Sequence, residues 1–181
     1  MAEIVVWIEQ VNGAARRSSL EAVGAARTAG AEVIALLSGE AAGTAAAALA
    51  SAGVATTILL TGQANPDAIA AAAAEIVREA SAPAFLCAAT TLGKDVAARV
   101  AAQLDCVILS DCIALQVDAQ GIHVQRPWLA GKCIATLRSS APVLVATTRV
   151  NAFTPSQETR APVTSERALG PTKTQVVEVQ A

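Results

Sequence analysis

Apolar residues fall along the first two-thirds of the chain in short continuous runs, separated by longer Ala-rich stretches. Glu3 to Glu9 (EIVVWIE) is dense in β-branched residues and predicts a strand ending at an Asn12-Gly13 turn. Ser18-Ser19 offers an N-cap for a helix that closes at Gly30. Val33 to Leu37 predicts a short buried strand before Ser38-Gly39. An Ala-rich helix is expected from Ala41 to Ser51, stopping at Gly53, and Thr56 to Leu60 predicts a third strand. Asn65-Pro66-Asp67 reads as a helix start, with Asn65 at the cap and Pro66 at the first helical position. That helix runs to Ala80 and ends before Pro83. Ala84 to Ala88 predicts a fourth strand, and Thr90-Thr91-Leu92-Gly93 leads into a helix reaching Leu104. Continuous apolar strands alternating with helices imply a parallel sheet covered on both faces, joined by right-handed crossovers. The expected fold class is therefore α/β, with three layers around one parallel sheet.

The pattern changes after Asp105. Val107 to Val117, Ile122 to Gln125, Lys132 to Arg138 and Val143 to Thr148 predict strands, with tight turns at Gln120-Gly121 and Ala130-Gly131. This segment is expected to form an appended antiparallel hairpin region that extends the sheet or stands as a small sheet of its own. From Asn151 the sequence turns polar and is broken by Pro155, Pro162 and Pro171. The expected organisation is an α/β domain over residues 1–150, with hairpins from about residue 106, and an irregular arm and linker over 151–181. Gln175 to Val179 is apolar and β-branched again.

Composition narrows the functional classes. The 181 residues are 54% hydrophobic and 15% charged with a net charge of -2, which excludes a disordered chain. That balance leaves no electrostatic footprint for nucleic acid or an anionic membrane. No Tyr, two Phe and two Trp leave little surface for stacking bases. About a quarter of the residues are Ala, which favours helix and buries little apolar area. No apolar run is long enough to span a bilayer, since Glu75 closes the longest Ala-rich stretch. Met1-Ala2-Glu3 lacks a basic leader, so the expected location is cytoplasmic, or the mitochondrial matrix for a processed eukaryotic chain.

Candidate chemistry is sparse. Cys87, Cys106, Cys112 and Cys133 show no metal-type spacing, and His123 stands alone, so they read as reduced core residues. Lys132 beside Cys133 is the one hint of an activated thiol. The loop Thr90 to Asp95 sits where open α/β sheets hold anions, at a helix N-terminus. Yet position 88 is Ala and position 95 is Asp, so the phosphate-loop pattern around Gly93-Lys94 is not written. The plainer reading is that Thr90 or Thr91 caps the helix while Asp95 favours its first turn. Arg16 and Arg17 read as a solvated rim, as do Glu75 and Glu79. Ser110, Cys112 and His123 lack the setting of a nucleophile and base. No catalytic, cofactor-binding or metal-ligating residue is assigned.

Taken in order, several segments resemble the N-terminal domain of the electron-transfer flavoprotein alpha subunit. The start, EIVVWIEQVNGAARRSSLEAVGAARTAG, is similar to that family's first strand and helix. Thr90 to Asp105 (TTLGKDVAARVAAQLD) is similar to its Gly-basic-Asp helix start. Ser110-Asp111, then Arg126-Pro127 with Ala130-Gly131, then Thr147-Thr148-Arg149-Val150-Asn151-Ala152-Phe153 follow the family's S-D, R-P-x-x-A-G and T-x-R-x-N-x-F landmarks in order and spacing. The resemblance covers residues 3 to 160.

What the resemblance implies is a nucleotide-hydrolase-like, Rossmann-like domain in an electron carrier rather than an enzyme. The family's heterodimers pass electrons from flavin dehydrogenases to a quinone oxidoreductase or similar acceptor. The expected partner is the beta subunit, with no nucleic acid and no membrane insertion, and with self-association open to the isolated domain. The complete alpha subunit holds FAD in a second domain that opens on S-G-G-R-G. The sequence stops at Ala181, where that domain is expected to begin, so no flavin contact falls in these residues. That makes the chain an excised domain or a separately encoded half, with Gln175 to Val179 as the lead-in to a linker. The segment Asp111 to Arg149 is expected to face the beta subunit, with Arg126 and Arg149 as polar anchors or, more plainly, as partners of carboxylates such as Asp111. A second reading is a stand-alone adenine-nucleotide module using Gly93-Lys94-Asp95.

Overall fold

A computed structural model describes residues 2–118, 120–139 and 141–172. The chain runs β1 (Glu3–Ile8), β2 (Gln10–Val11), β3 (Ala14–Ala15), α1 (Arg17–Thr28), β4 (Glu32–Ser38) and α2 (Ala42–Ala46). A 3-10 turn over Ala47–Ser51 leads to β5 (Thr56–Thr61), α3 (Pro66–Glu79), β6 (Ala84–Ala88) and α4 (Thr91–Gln103). Then come β7 (Ile108–Cys112), β8 (Ala114–Asp118), β9 (Gly121–Trp128), β10 (Cys133–Arg138), β11 (Leu144–Thr148) and β12 (Val163–Ala168). Among the described residues no helix is long and apolar enough to cross a membrane.

Seven strands pair in the order β12-β5-β4-β1-β6-β11-β7, every pair parallel. Alternate side chains of β1 divide the core. Ile4, Val6 and Ile8 face one layer with Val23, Ala26, Ala45 and Leu49. Val5 and Trp7 face the other, with Ile69, Ile76, Phe85, Val96 and Val100 from the side of α3 and α4. Burial on both faces is why the central strands read as continuous apolar runs rather than alternating ones. The α/β expectation is therefore met, including the small antiparallel sheet β10-β9-β8.

Details differ from the sequence reading for physical reasons. Arg16, not a serine, stands at the N-cap of α1; Ser19 faces inward and accepts the Glu9 backbone N–H at 3.0 Å. Val107 to Val117 is two strands, because Asp111 adopts φ 63° and turns the chain out of the main sheet into the small one. The strand at 144–148 belongs to neither hairpin: β11 inserts between β6 and β7, fully buried. Asn12 and Gly13 are both left-handed, as the tight turn joining β2 to β3 requires.

Residues 151–162 are irregular, as expected, but β12 follows and pairs along β5. The arm is thus the crossover that a parallel strand needs, made of extended chain where a helix is usual. It lies along α1. Asn151 N–H donates to the Glu21 carboxylate at 2.7 Å, Glu158 pairs with Arg27 at 2.6 Å, and Arg160 pairs with Glu32 at the foot of β4. Arg167 of β12 then reaches both Glu79 oxygens at 2.6 and 2.7 Å, with Glu75 at 4.0 Å, so this acidic pair docks a strand rather than facing solvent alone. The apolar stretch Gln175 to Val179 lies outside the described residues.

Gly24 is what lets the arm lie so close, since a Cβ there would stand 2.0 Å from the Thr154 carbonyl oxygen. Intrinsic helix propensity favours Ala over Gly by about 1 kcal/mol. The contact reverses that sign: Gly24→Ala is expected to lower stability by about 1–3 kcal/mol in urea unfolding, the usual cost of overpacking. A gain in stability would show that the arm is not seated on α1.

Candidate functional site

Two groups of polar residues gather at the carboxyl ends of the strands. The first lies between β1 and β6, where the strand order reverses and open α/β sheets offer their ligand crevice. A cavity of about 260 Å³ opens there, lined among others by Trp7, Glu9, Gln10, Arg16, Ile69 and Leu92. The turn of β2 and β3 folds back so that Arg16 N–H reaches the Glu9 carbonyl at 2.8 Å, which sets both side chains at the mouth.

The helix end in this crevice is already occupied. Thr90 caps α4, its Oγ1 accepting the Gly93 N–H at 2.9 Å while its hydroxyl donates to Glu9 Oε1. Gly93 is there for packing, because a Cβ would stand 2.0 Å from the Ala88 carbonyl oxygen. Lys94 is exposed and Asp95 pairs with Arg99 one turn on at 2.9 Å, rather than with the first turn. A phosphate here would face the Glu9 carboxylate and find the cap amide taken, which disfavours the nucleotide reading of Gly93-Lys94-Asp95. The same carboxylate and the small volume do not fit a flavin dinucleotide either.

The second group assembles the ordered landmarks. Asp111 N–H donates to Thr147 Oγ1 at 2.9 Å, across a register shift between β7 and β11. Arg149 Nη2 meets Asp111 Oδ2 at 2.8 Å, and Arg149 N–H donates to the Cys112 carbonyl. Thr148 Oγ1 donates to the Cys87 carbonyl at 3.3 Å, and Phe153 packs on the core beside α1. Of the two arginines expected as anchors, Arg149 has a carboxylate partner. Arg126 instead lies with its guanidinium 5.7 Å from the Trp128 ring, and its buried Nε has no hydrogen bond among the described residues. The β9–β10 hairpin carries Trp128, Leu129 and Ile134 exposed beside them.

Glu21 was not singled out by the sequence. It is 1% exposed, and its carboxylate takes Asn151 N–H and Arg17 Nε. Its place one helical turn beyond Arg17 suggests only a surface pair; nothing local foretells a partner 130 residues away.

The thiols do not converge. Cys87 and Cys112 are buried, Cys106 is half-buried and Cys133 is exposed, so the expectation of four core cysteines holds for two. Burial pushes the Cys87 thiol up strongly, with Glu9 adding to the effect. Burial pushes Cys112 up to about 12 against the pull of Arg126, and burial also raises Cys106. His123 pairs with Asp118 at 3.3 Å on the small sheet. Among the described residues no three of His, Cys, Asp and Glu could hold a metal ion.

Comparison with known proteins agrees with the landmarks. Residues 4–180 match the model of the electron transfer flavoprotein domain. A stretch of 70 residues is 34% identical to the electron transfer flavoprotein subunit alpha of Thermoanaerobacterium thermosaccharolyticum, covering 38% of this chain and 21% of that subunit.

The raised thiols have a direct consequence. The thiolate is the reacting form, and a pKa of about 12 keeps Cys112 protonated at pH 8. Titration with a chromogenic disulfide at pH 8 is expected to label Cys133 rapidly and to leave Cys87 and Cys112 unmodified until the chain is unfolded. Rapid labelling of Cys87 in the folded protein would contradict this burial.

Proposed function

This chain belongs to the electron transfer flavoprotein family, and we propose that it serves there as the N-terminal domain of an alpha subunit, a scaffold and docking surface for a beta subunit. In this reading the heterodimer carries electrons from flavin dehydrogenases to a quinone oxidoreductase or similar acceptor. The domain itself carries no electron. FAD belongs to the remainder of the subunit, and these residues contribute position to it.

One observation carries the docking role. The β9–β10 hairpin stands at the carboxyl end of the sheet with Trp128 48%, Leu129 67% and Ile134 60% exposed. Arg126 stacks against the Trp128 ring from the same strand. Exposed Trp beside Arg is the composition of interface hot spots, and a patch of large apolar residues at one tip is unfavourable in water unless covered. The turn from β7 into β8 is fixed by the Asp111–Arg149 pair and the Thr147 bond, and Ile113 N–H just beyond it donates to the Gln125 carbonyl of β9 at 2.7 Å. The two anchors then divide their work: Arg149 holds the β7–β8 turn beside β9, and Arg126 presents Trp128.

The test uses a co-expressed beta subunit and the full chain. Trp128→Ala with Ile134→Ala is expected to weaken heterodimer affinity by about tenfold or more, as for a truncated aromatic hot spot. Thermal stability of the chain alone should change little, since both side chains are exposed. Wild-type affinity in the double variant would place the interface elsewhere.

A further inference from the structure

The crevice between β1 and β6 has polar groups that the docking role does not use. Glu9 is 7% exposed and lines the cavity. Its Oε1 takes the Thr90 hydroxyl, while among the described residues Oε2 has only Arg16 Nε, at 3.8 Å, too far for a hydrogen bond. Arg16 itself is half exposed at the rim. The same wall holds Trp7, which is 2% exposed and whose indole Nε1 is buried without a hydrogen-bond partner among the described residues. The rest of the lining mixes the apolar Ile8, Val11, Ala64, Ile69 and Leu92 with Gln10 and Ser38.

We propose that this crevice binds a small neutral amide, whose N–H donates to Glu9 Oε2 and whose carbonyl accepts from Arg16. Charge selects this class. An anion would meet the buried Glu9 carboxylate, and a cation would meet Arg16 together with the positive end of α4. A neutral group with a donor beside an acceptor bridges a pair that stands too far apart to bond directly. The apolar walls take a compact ring or short chain, and about 260 Å³ limits the body to a small molecule. Glu9 Oε2 keeps an acceptor position open to the cavity, and a hydrogen bond from a neutral N–H to that charged acceptor is the driving force.

Trp7 supplies the reporter. The chain has two Trp, so its nitrogen–proton correlation spectrum holds two indole signals, and Trp128→Phe assigns the one from Trp7. Benzamide and benzoate are matched probes of nearly one shape, differing in amide against carboxylate. Benzamide is expected to shift the Trp7 signal saturably, in the roughly millimolar range that so small a ligand reaches. Benzoate should bind at least about tenfold more weakly, the loss of one hydrogen bond to a charged acceptor. Glu9→Gln, which keeps the shape, should narrow that gap while Thr90 still caps α4. Should Glu9→Gln fail to fold, the wild-type comparison of the two probes decides alone. A Trp7 signal unmoved by benzamide, or moved equally by benzoate, overturns the proposal, and neither outcome bears on the hairpin as a docking surface.

Discussion

A buried carboxylate on α1 holds the arm after β11 in place. Glu21 is almost fully enclosed and accepts the backbone N–H of Asn151, where the chain leaves the sheet. Arg17 on the same helix occupies Oε1, and the enclosed Oε2 is satisfied by the segment after β11, which favours that course for the chain. Gly24 clears the next step of that course, and Arg27 and Arg160 tie off its end with Glu158 and Glu32. The arm thereby reaches β5 and adds the edge strand β12 without a crossover helix.

The same end of the sheet explains the ordered landmarks physically. Asp111 needs its left-handed backbone to redirect β7 into the small sheet, and Thr147 and Arg149 satisfy its amide and carboxylate. Asn151 is also left-handed, with φ 64°, where Asn is tolerated better than most residues. These residues build a rigid base rather than a reaction centre. What they hold out is the β9–β10 hairpin, whose exposed Trp128, Leu129 and Ile134 are the plainest candidate for contact with another chain.

Much of this was legible beforehand, for identifiable reasons. The strands β1, β4, β5 and β6 announce themselves because burial on both faces leaves continuous apolar runs. Pro66 and Thr90 mark helix starts through local chemistry that needs no tertiary context. The misreadings arose where distant partners decide. Ser19 looks like a cap but serves the Glu9 amide, and β11 looks like a hairpin strand but is drawn between β6 and β7. β12 is polar because it is an exposed edge, and so carries no strand signal of its own. In the crevice, the helix start at Thr90 was visible, but not that a carboxylate from β1 already sits against it.

The most direct test of this architecture is amide hydrogen exchange in Glu21→Ala against the unaltered chain. Loss of a carboxylate acceptor to this part-buried N–H costs about 1.5–3 kcal/mol. The Asn151 amide and the β12 amides paired with β5 should then exchange faster by a factor of about ten or more, as that energy implies. Amides of β1 and β6 should keep their protection. Uniform loss across the sheet, or unchanged exchange at Asn151 and β12, would contradict the claim that this carboxylate sets the course of the arm.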